Sequence, residues 1–282
     1  PSGTDQVGGT VVSATAPAIV LLGRTDGRDR PGVRLGLRDC GGSGAFPVGA
    51  AASPDGTHLY IADFQGQGTG CVHTARVTGG ALELTETVED VRLLGAESIV
   101  TSADGREIVV ACHVAKAVTV LRHDESDGAL EVFASFERDD LEGAEFLTFG
   151  PKDETLYVTS PVRNNVVVFK RDVQTGELAH LQTLTQDAEL RLGGAAGISV
   201  APDGRFVYVS ARTDDTLTAF SRAEDGTLTA LQRFSEGLDW PNGVAVAPDG
   251  RHVYVAAVKS SSVTVLRRVP GAEDGCFGRC AE

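Results

Sequence analysis

The chain has 282 residues, 41% of them hydrophobic, with 39 acidic side chains against 25 basic ones and a net charge of −14. This is the composition of a folded globular chain, and an acidic surface without a basic stripe excludes nucleic acid as a partner class. No apolar run nears the roughly 18 residues that a membrane-spanning helix needs, so no membrane span is expected.

Residues 1–9 supply no apolar strand and are read, like residues 270–282, as irregular termini. Three strand-like runs follow: Thr10–Ala14, Ala18–Leu22 and Val33–Leu37. The sequence contains no Met, so it reads as a trimmed or partial product that starts part-way through a repeat.

From residue 48 a repeat governs the chain. Val48–Gly56, Glu97–Gly105, Glu145–Asp153, Ala196–Gly204 and Asn242–Gly250 align without gaps, and their anchors (Pro54, Ala103, Pro151, Pro202, Pro248) stand 49, 48, 51 and 46 residues apart. Such a period is the signature of propeller blades or repeat arrays. Each copy opens with a short strand of small apolar residues and turns at Pro-Asp-Gly or its variant, a sequence suited to a tight reversal. The second strand is aromatic and β-branched (Leu156-Tyr-Val-Thr159, Val207-Tyr-Val-Ser210, Val253-Tyr-Val-Ala256), the third alternates (Asn165–Phe169, Thr216–Phe220), and the fourth is more polar. No apolar period of 3.6 persists, so the chain is expected to be all-β. The expectation is a β-propeller of four-stranded antiparallel blades, six in all. Five full repeats and a partial N-terminal one would close the ring by pairing with the last copy, making residues 1–282 a single domain.

Five Cys are too few for a disulfide-built fold. Cys71 and Cys112 fall in apolar strand-like runs and are read as small free hydrophobes. Cys40, Cys276 and Cys280 lie in Gly-rich segments, where one disulfide is allowed if the protein is exported; an extracytoplasmic setting is favoured on that ground.

The Pro-Asp-Gly turns, the Tyr157-Val-Thr-Ser160 strand and Asn164–Phe169 resemble the YVTN, lactonase-type β-propeller superfamily over residues 48–268, and more weakly over 10–38. That superfamily includes 6-phosphogluconolactonase-like hydrolases, usually seven-bladed, for which this chain is short. Trp240–Gly250 is similar to the Asn-Gly segment of gluconolactonase-type propellers, where an Asn at the channel mouth binds a divalent metal.

Aligned with Asn242 in the other copies are Val48, Glu97, Glu145 and Ala196, all where the chain enters its innermost strand. The resemblance therefore implies a Ca²⁺ or Mg²⁺ site at Glu97, Glu145 and Asn242, an oxygen set that suits a hard cation, with no organic cofactor. Loops between second and third strands reach the same face. From these, His113 and Asp63 are candidate proton-transfer groups, and Arg163, Arg212 and Trp240 candidate substrate-binding ones. The expected function is a lactonase-like hydrolase opening a small polar lactone or ester. Two alternatives stand beside it: a non-catalytic propeller binding protein or glycan, and a natural-product enzyme forming carbon–carbon bonds with a partner domain.

Overall fold

The computed structural model describes residues 35–40, 44–78, 81–124 and 129–268, with strand backbone also at 11–15, 18–22, 24–25, 28–29, 33–34 and 277–279. Strands dominate, and the only helical pieces among these residues are three single 3₁₀ turns at Val91–Leu93, Asp139–Leu141 and Pro151–Asp153. None of them is long and apolar enough to cross a membrane.

Five four-stranded antiparallel sheets follow one another in chain order, each pairing its strands first to last. Blade 1 comprises Pro47–Ala52, His58–Asp63, Gly70–Thr78 and Ala81–Asp90. Blade 2 comprises Ala96–Thr101, Glu107–Cys112, Ala117–His123 and Leu130–Glu137. Blade 3 comprises Phe146–Phe149, Thr155–Ser160, Asn165–Arg171 and Leu178–Thr185. Blade 4 comprises Ala195–Val200, Phe206–Ala211, Thr216–Arg222 and Leu228–Phe234. Blade 5 comprises Pro241–Val246, His252–Ala257, Ser262–Arg268 and Phe277–Arg279.

The N-terminal strands Val11–Thr15, Ala18–Leu22 and Val33–Gly36 make a separate three-stranded sheet, and Arg24–Thr25 pairs with Arg28–Asp29 in a hairpin. The expected ring closure is corrected here: the N-terminal strands do not pair with the last blade, whose fourth strand comes from within the tail read as irregular, where Phe277–Arg279 pairs with Leu266–Arg268. Among the described residues there are five four-stranded sheets rather than six, and the N-terminal sheet is the partial one, with three strands. In blade 5 the outward Tyr254 is 39% exposed, whereas its counterparts Tyr157 and Tyr208 are fully covered by the following blade.

The hairpins form for the reasons visible in the sequence. In Pro54-Asp55-Gly56 the glycine takes φ +70°, a region closed to most side chains, and Asp55 Oδ1 accepts the Thr57 N–H at 3.0 Å. The same Asp bond recurs at Asp104, Asp203 and Asp249.

The core is a chain of inter-blade contacts. Tyr60 and Val72 of blade 1 pack with Ile108 and Val110 of blade 2. Val109 and Val118 of blade 2 meet Leu156 and Val158 of blade 3, and the pattern repeats to blade 5. Each fully buried aliphatic side chain contributes about 1.5–3 kcal/mol, so stability resides between neighbours, as in other repeat architectures. Inner strands approach closely where Gly permits: a Cβ on Gly49 would stand 2.3 Å from the Glu97 carbonyl oxygen, and one on Gly197 2.3 Å from that of Asn242.

Candidate active site

The aligned mouth positions share a backbone feature that the sequence did not reveal. Strand pairing skips one residue between Pro47 and Gly49, between Ala96 and Ser98, and between Pro241 and Gly243, and sets two residues against one between Ala195 and Ile198. Val48, Glu97, Ala196 and Asn242 thus sit in β-bulges, where an extra residue re-aims its side chain out of the alternating pattern. Glu145 lies just before the inner strand of blade 3, its N–H donating to the Thr159 carbonyl at 3.0 Å.

These positions converge on a cavity of about 350 Å³ lined by Val48, Glu97, Ser98, Glu145, Phe146 and Asn242. Arg212, from the loop after the second strand of blade 4, holds two of these lining residues. Its Nη1 donates to Glu145 Oε2 at 2.8 Å, its Nε donates to Asn242 Oδ1 at 2.6 Å, and its Nη2 donates to both Glu145 Oε1 and Asn242 Oδ1. The Trp240 indole lies beside this guanidinium, with the Arg212 guanidinium carbon 5.6 Å and Lys259 Nζ 5.3 Å from its ring centroid. Trp240 itself takes φ +58° and is fixed by its N–H donating to Asp215 Oδ1 at 2.8 Å.

At Glu97, His113 Nδ1 stands 3.3 Å from the carboxylate Oε2, and the Phe64 ring meets the imidazole edge-on at 5.9 Å. The Glu97 carboxylate, outweighing partial burial, raises His113 above the ordinary imidazole value. Burial raises the Glu145 carboxyl, the charge of Glu97 adds to the rise, and Arg212 opposes it.

A divalent cation does not fit this donor set as arranged. The Asn242 amide oxygen and both Glu145 oxygens already accept from Arg212, whose fixed positive charge stands where the expected cation would sit. Glu97 is engaged with His113 instead.

Two candidates lie apart from the cluster. Arg163 pairs with Glu142 at 2.5 Å and donates to the Asp139 carbonyl at 3.0 Å. Asp63 is fully buried, with Oδ1 accepting from the Phe46 N–H at 2.9 Å and from Gln65 Nε2 at 2.8 Å, and Oδ2 3.1 Å from His73 Nε2. A carboxylate without access to the cavity cannot serve a substrate there. The reading of Cys71 as a free thiol is likewise corrected: it forms a disulfide with Cys40, across 31 residues. Cys112 is a buried free thiol, and burial pushes it up to about 12. Cys276 and Cys280 lie outside the described residues. Phe146, which lines the cavity, and Phe64, which packs on His113, escaped sequence reasoning because each reads as one more strand-end aromatic.

Successive four-stranded antiparallel blades that bring their inner-strand ends to one cluster define a β-propeller. The family model described as "Lactonase, 7-bladed beta-propeller" matches residues 36–280, and the chain belongs to that family, whose description gives seven blades where six were expected here. A 6-phosphogluconolactonase of Enterobacter sp. (strain 638) is 28% identical over 230 residues, 76% of this chain and 68% of that protein. The protein YwcC of Lactococcus lactis is 28% identical over 151 residues, and there the chain spans only 44% of the relative's length. Among solved structures, the periplasmic gluconolactonase PpgL of Pseudomonas aeruginosa superposes with a TM-score of 0.77 at 24% identity, covering 94% of this chain and 76% of that one, a likeness of fold.

Proposed function

We propose that the protein opens an uncharged, hydroxylated lactone of the aldonolactone type in the cavity between Glu97, Glu145 and Asn242. The observation that carries this reading is that the carboxylates and amide lining the cavity are held by the Arg212 guanidinium on Glu145 and Asn242 and by His113 beside Glu97, in a chain of the Lactonase family. A guanidinium has five N–H groups. Four are held by Glu145 and Asn242, which leaves one on Nη1 for the lactone carbonyl oxygen, where negative charge develops when water adds.

His113 takes the proton from that water and returns it to the ring oxygen as the C–O bond breaks, leaving a hydroxy acid. Glu97 orients the imidazole and stabilises its protonated form, as the carboxylate of a hydrolase triad does. Arg212 thus takes the electrostatic role expected of a metal.

The substrate class follows from charge. Glu97 and Glu145 flank the cavity and the chain as a whole carries −14, which disfavours a phosphate dianion, while Ser98 and Asn242 suit sugar hydroxyls. The Cys40–Cys71 disulfide, with the periplasmic location of the Pseudomonas protein, supports an extracytoplasmic setting.

The test is a pH-stat assay of glucono-1,5-lactone and its 6-phosphate over their spontaneous hydrolysis. The reading expects the unphosphorylated lactone to be opened with higher kcat/KM, and His113→Asn and Arg212→Lys each to lower that value by about 10²-fold or more. Preference for the phosphorylated lactone would overturn the substrate class, and no acceleration of either would overturn the activity.

A further inference from the structure

Inside blade 1 a second set of chemically active groups is sealed from solvent. Asp63, Cys71, His73 and Cys40 are each 0% exposed. Cys71 pairs opposite Asp63 in the sheet, and His73, two residues further along the same strand, points to the same face. Cys40 enters from the segment joining the N-terminal sheet to blade 1. One donor atom from each of Cys40, Cys71 and His73 falls within 4.8 Å of the others. Asp63 Oδ2 is 3.1 Å from His73 Nε2, and Cys40 Sγ is 3.7 Å from that same nitrogen.

A disulfide by itself does not require a carboxylate and an imidazole at its side, because burying both groups carries a desolvation cost that apolar neighbours would avoid. Two thiols, one imidazole and one carboxylate are, however, the donor types of a four-coordinate zinc centre. The surrounding groups match such a centre as well. His73 Nδ1 lies 3.0 Å from Thr87 Oγ1, and Asp63 Oδ1 is held by the Phe46 N–H and the Gln65 amide. These contacts orient the two ligands from behind, as outer groups do in zinc sites.

We infer that Cys40, Cys71, His73 and Asp63 form a redox-gated site for a thiophilic divalent metal of the zinc type, distinct from the lactone cavity. The oxidised chain keeps the disulfide, with His73 Nε2–H donating to Asp63 and the Thr87 hydroxyl donating to Nδ1. On reduction by a phosphine, the phosphorus takes the oxygen of one water and becomes the phosphine oxide, and the two sulfurs gain one hydrogen each. Metal binding then displaces those two protons. The imidazole shifts tautomer, so that Nδ1–H donates to Thr87 and Nε2 is free to ligate. Either state ties the segment carrying Cys40 to the third strand of blade 1.

The experiment uses the full chain in a Cys276→Ser/Cys280→Ser background, which removes the other closely spaced cysteine pair. After anaerobic phosphine reduction it is titrated with Co²⁺ alone, then with Zn²⁺. The expected result is one Co²⁺ per chain with tetrahedral visible bands and a thiolate-to-cobalt charge-transfer band, all bleached by Zn²⁺ and absent from the disulfide form. His73→Gln and Asp63→Asn should each weaken Co²⁺ binding by about 10- to 100-fold. This comparison of reduced and oxidised parent needs no site variant, so a misfolded mutant does not obscure it. Reduced, folded parent without the charge-transfer band would overturn the inference. So would a band that keeps the parent affinity in both His73→Gln and Asp63→Asn.

Discussion

Replacing Arg212 by Ala separates a guanidinium that organises the site from one that merely borders it. The Glu145 and Arg212 side chains are 9% and 17% exposed, so the pair is largely removed from water. Breaking a buried pair from one side strands the other charge at about 3–5 kcal/mol, and the water that still reaches Arg212 places the expected loss near the lower end, about 3 kcal/mol at pH 8. The loss should depend on pH with a definite sign. Burial already raises the Glu145 carboxyl, Arg212 is a cause that lowers it, and removing the guanidinium moves it further up. A folded-state pKa above the unfolded one gives most stability below the unfolded value, and stability falls as pH rises through the folded value. The deficit of Arg212→Ala against the parent is therefore smallest near pH 4 and grows toward pH 8. Urea midpoints and slopes at both pH values measure it, with Glu145→Gln and the double variant completing a cycle. The double variant should recover at least half of the loss at pH 8, because no unpaired charge remains buried. A loss below about 1 kcal/mol, or a double variant as unstable as the sum of the singles, would refute the argument.

Lactone opening by the parent should rise with pH through an apparent value above the ordinary imidazole pKa of about 6.5, and Glu97→Gln should move it downward; a pH–rate profile of kcat/KM reads both. A chelator added to disulfide-intact protein should leave the rate unchanged, since Arg212 occupies the oxygens a cation would need. Gly197→Ala should cost about 1–3 kcal/mol in urea unfolding and reduce activity, because its Cβ would stand 2.3 Å from the Asn242 carbonyl oxygen. Gly66→Ala, where the added carbon meets open space, should stay within about 0.5 kcal/mol.

The repeat of strand, Pro-Asp-Gly turn and Tyr-Val strand was legible because each of its signals acts within a few residues. Asp55 closes its own turn, and Gly56 supplies the backbone angle that the turn needs. Aligning the copies also placed Glu97, Glu145 and Asn242 at one end of the inner strands, since equivalent positions in stacked blades share a height. What they do there depends on partners 67 and 30 residues away in the chain, the separations that join Arg212 to Glu145 and to Asn242. Nothing local in Arg212-Thr-Asp marks that reach, and a bulge such as the one at Glu97 exists only as a mismatch between two paired strands.

The sequence by itself determined the strand order, the antiparallel blades and the height at which the mouth residues lie, all consequences of short-range turn chemistry and period-two patterning. Tertiary structure decided three other matters. It withdrew Asp63 into the interior beside His73, it joined Cys71 to Cys40, and it filled an expected cation position with a guanidinium. Each rests on side chains brought together by blade stacking, where burial and charge pairing act over distances in space that the spacing of residues along the chain does not encode.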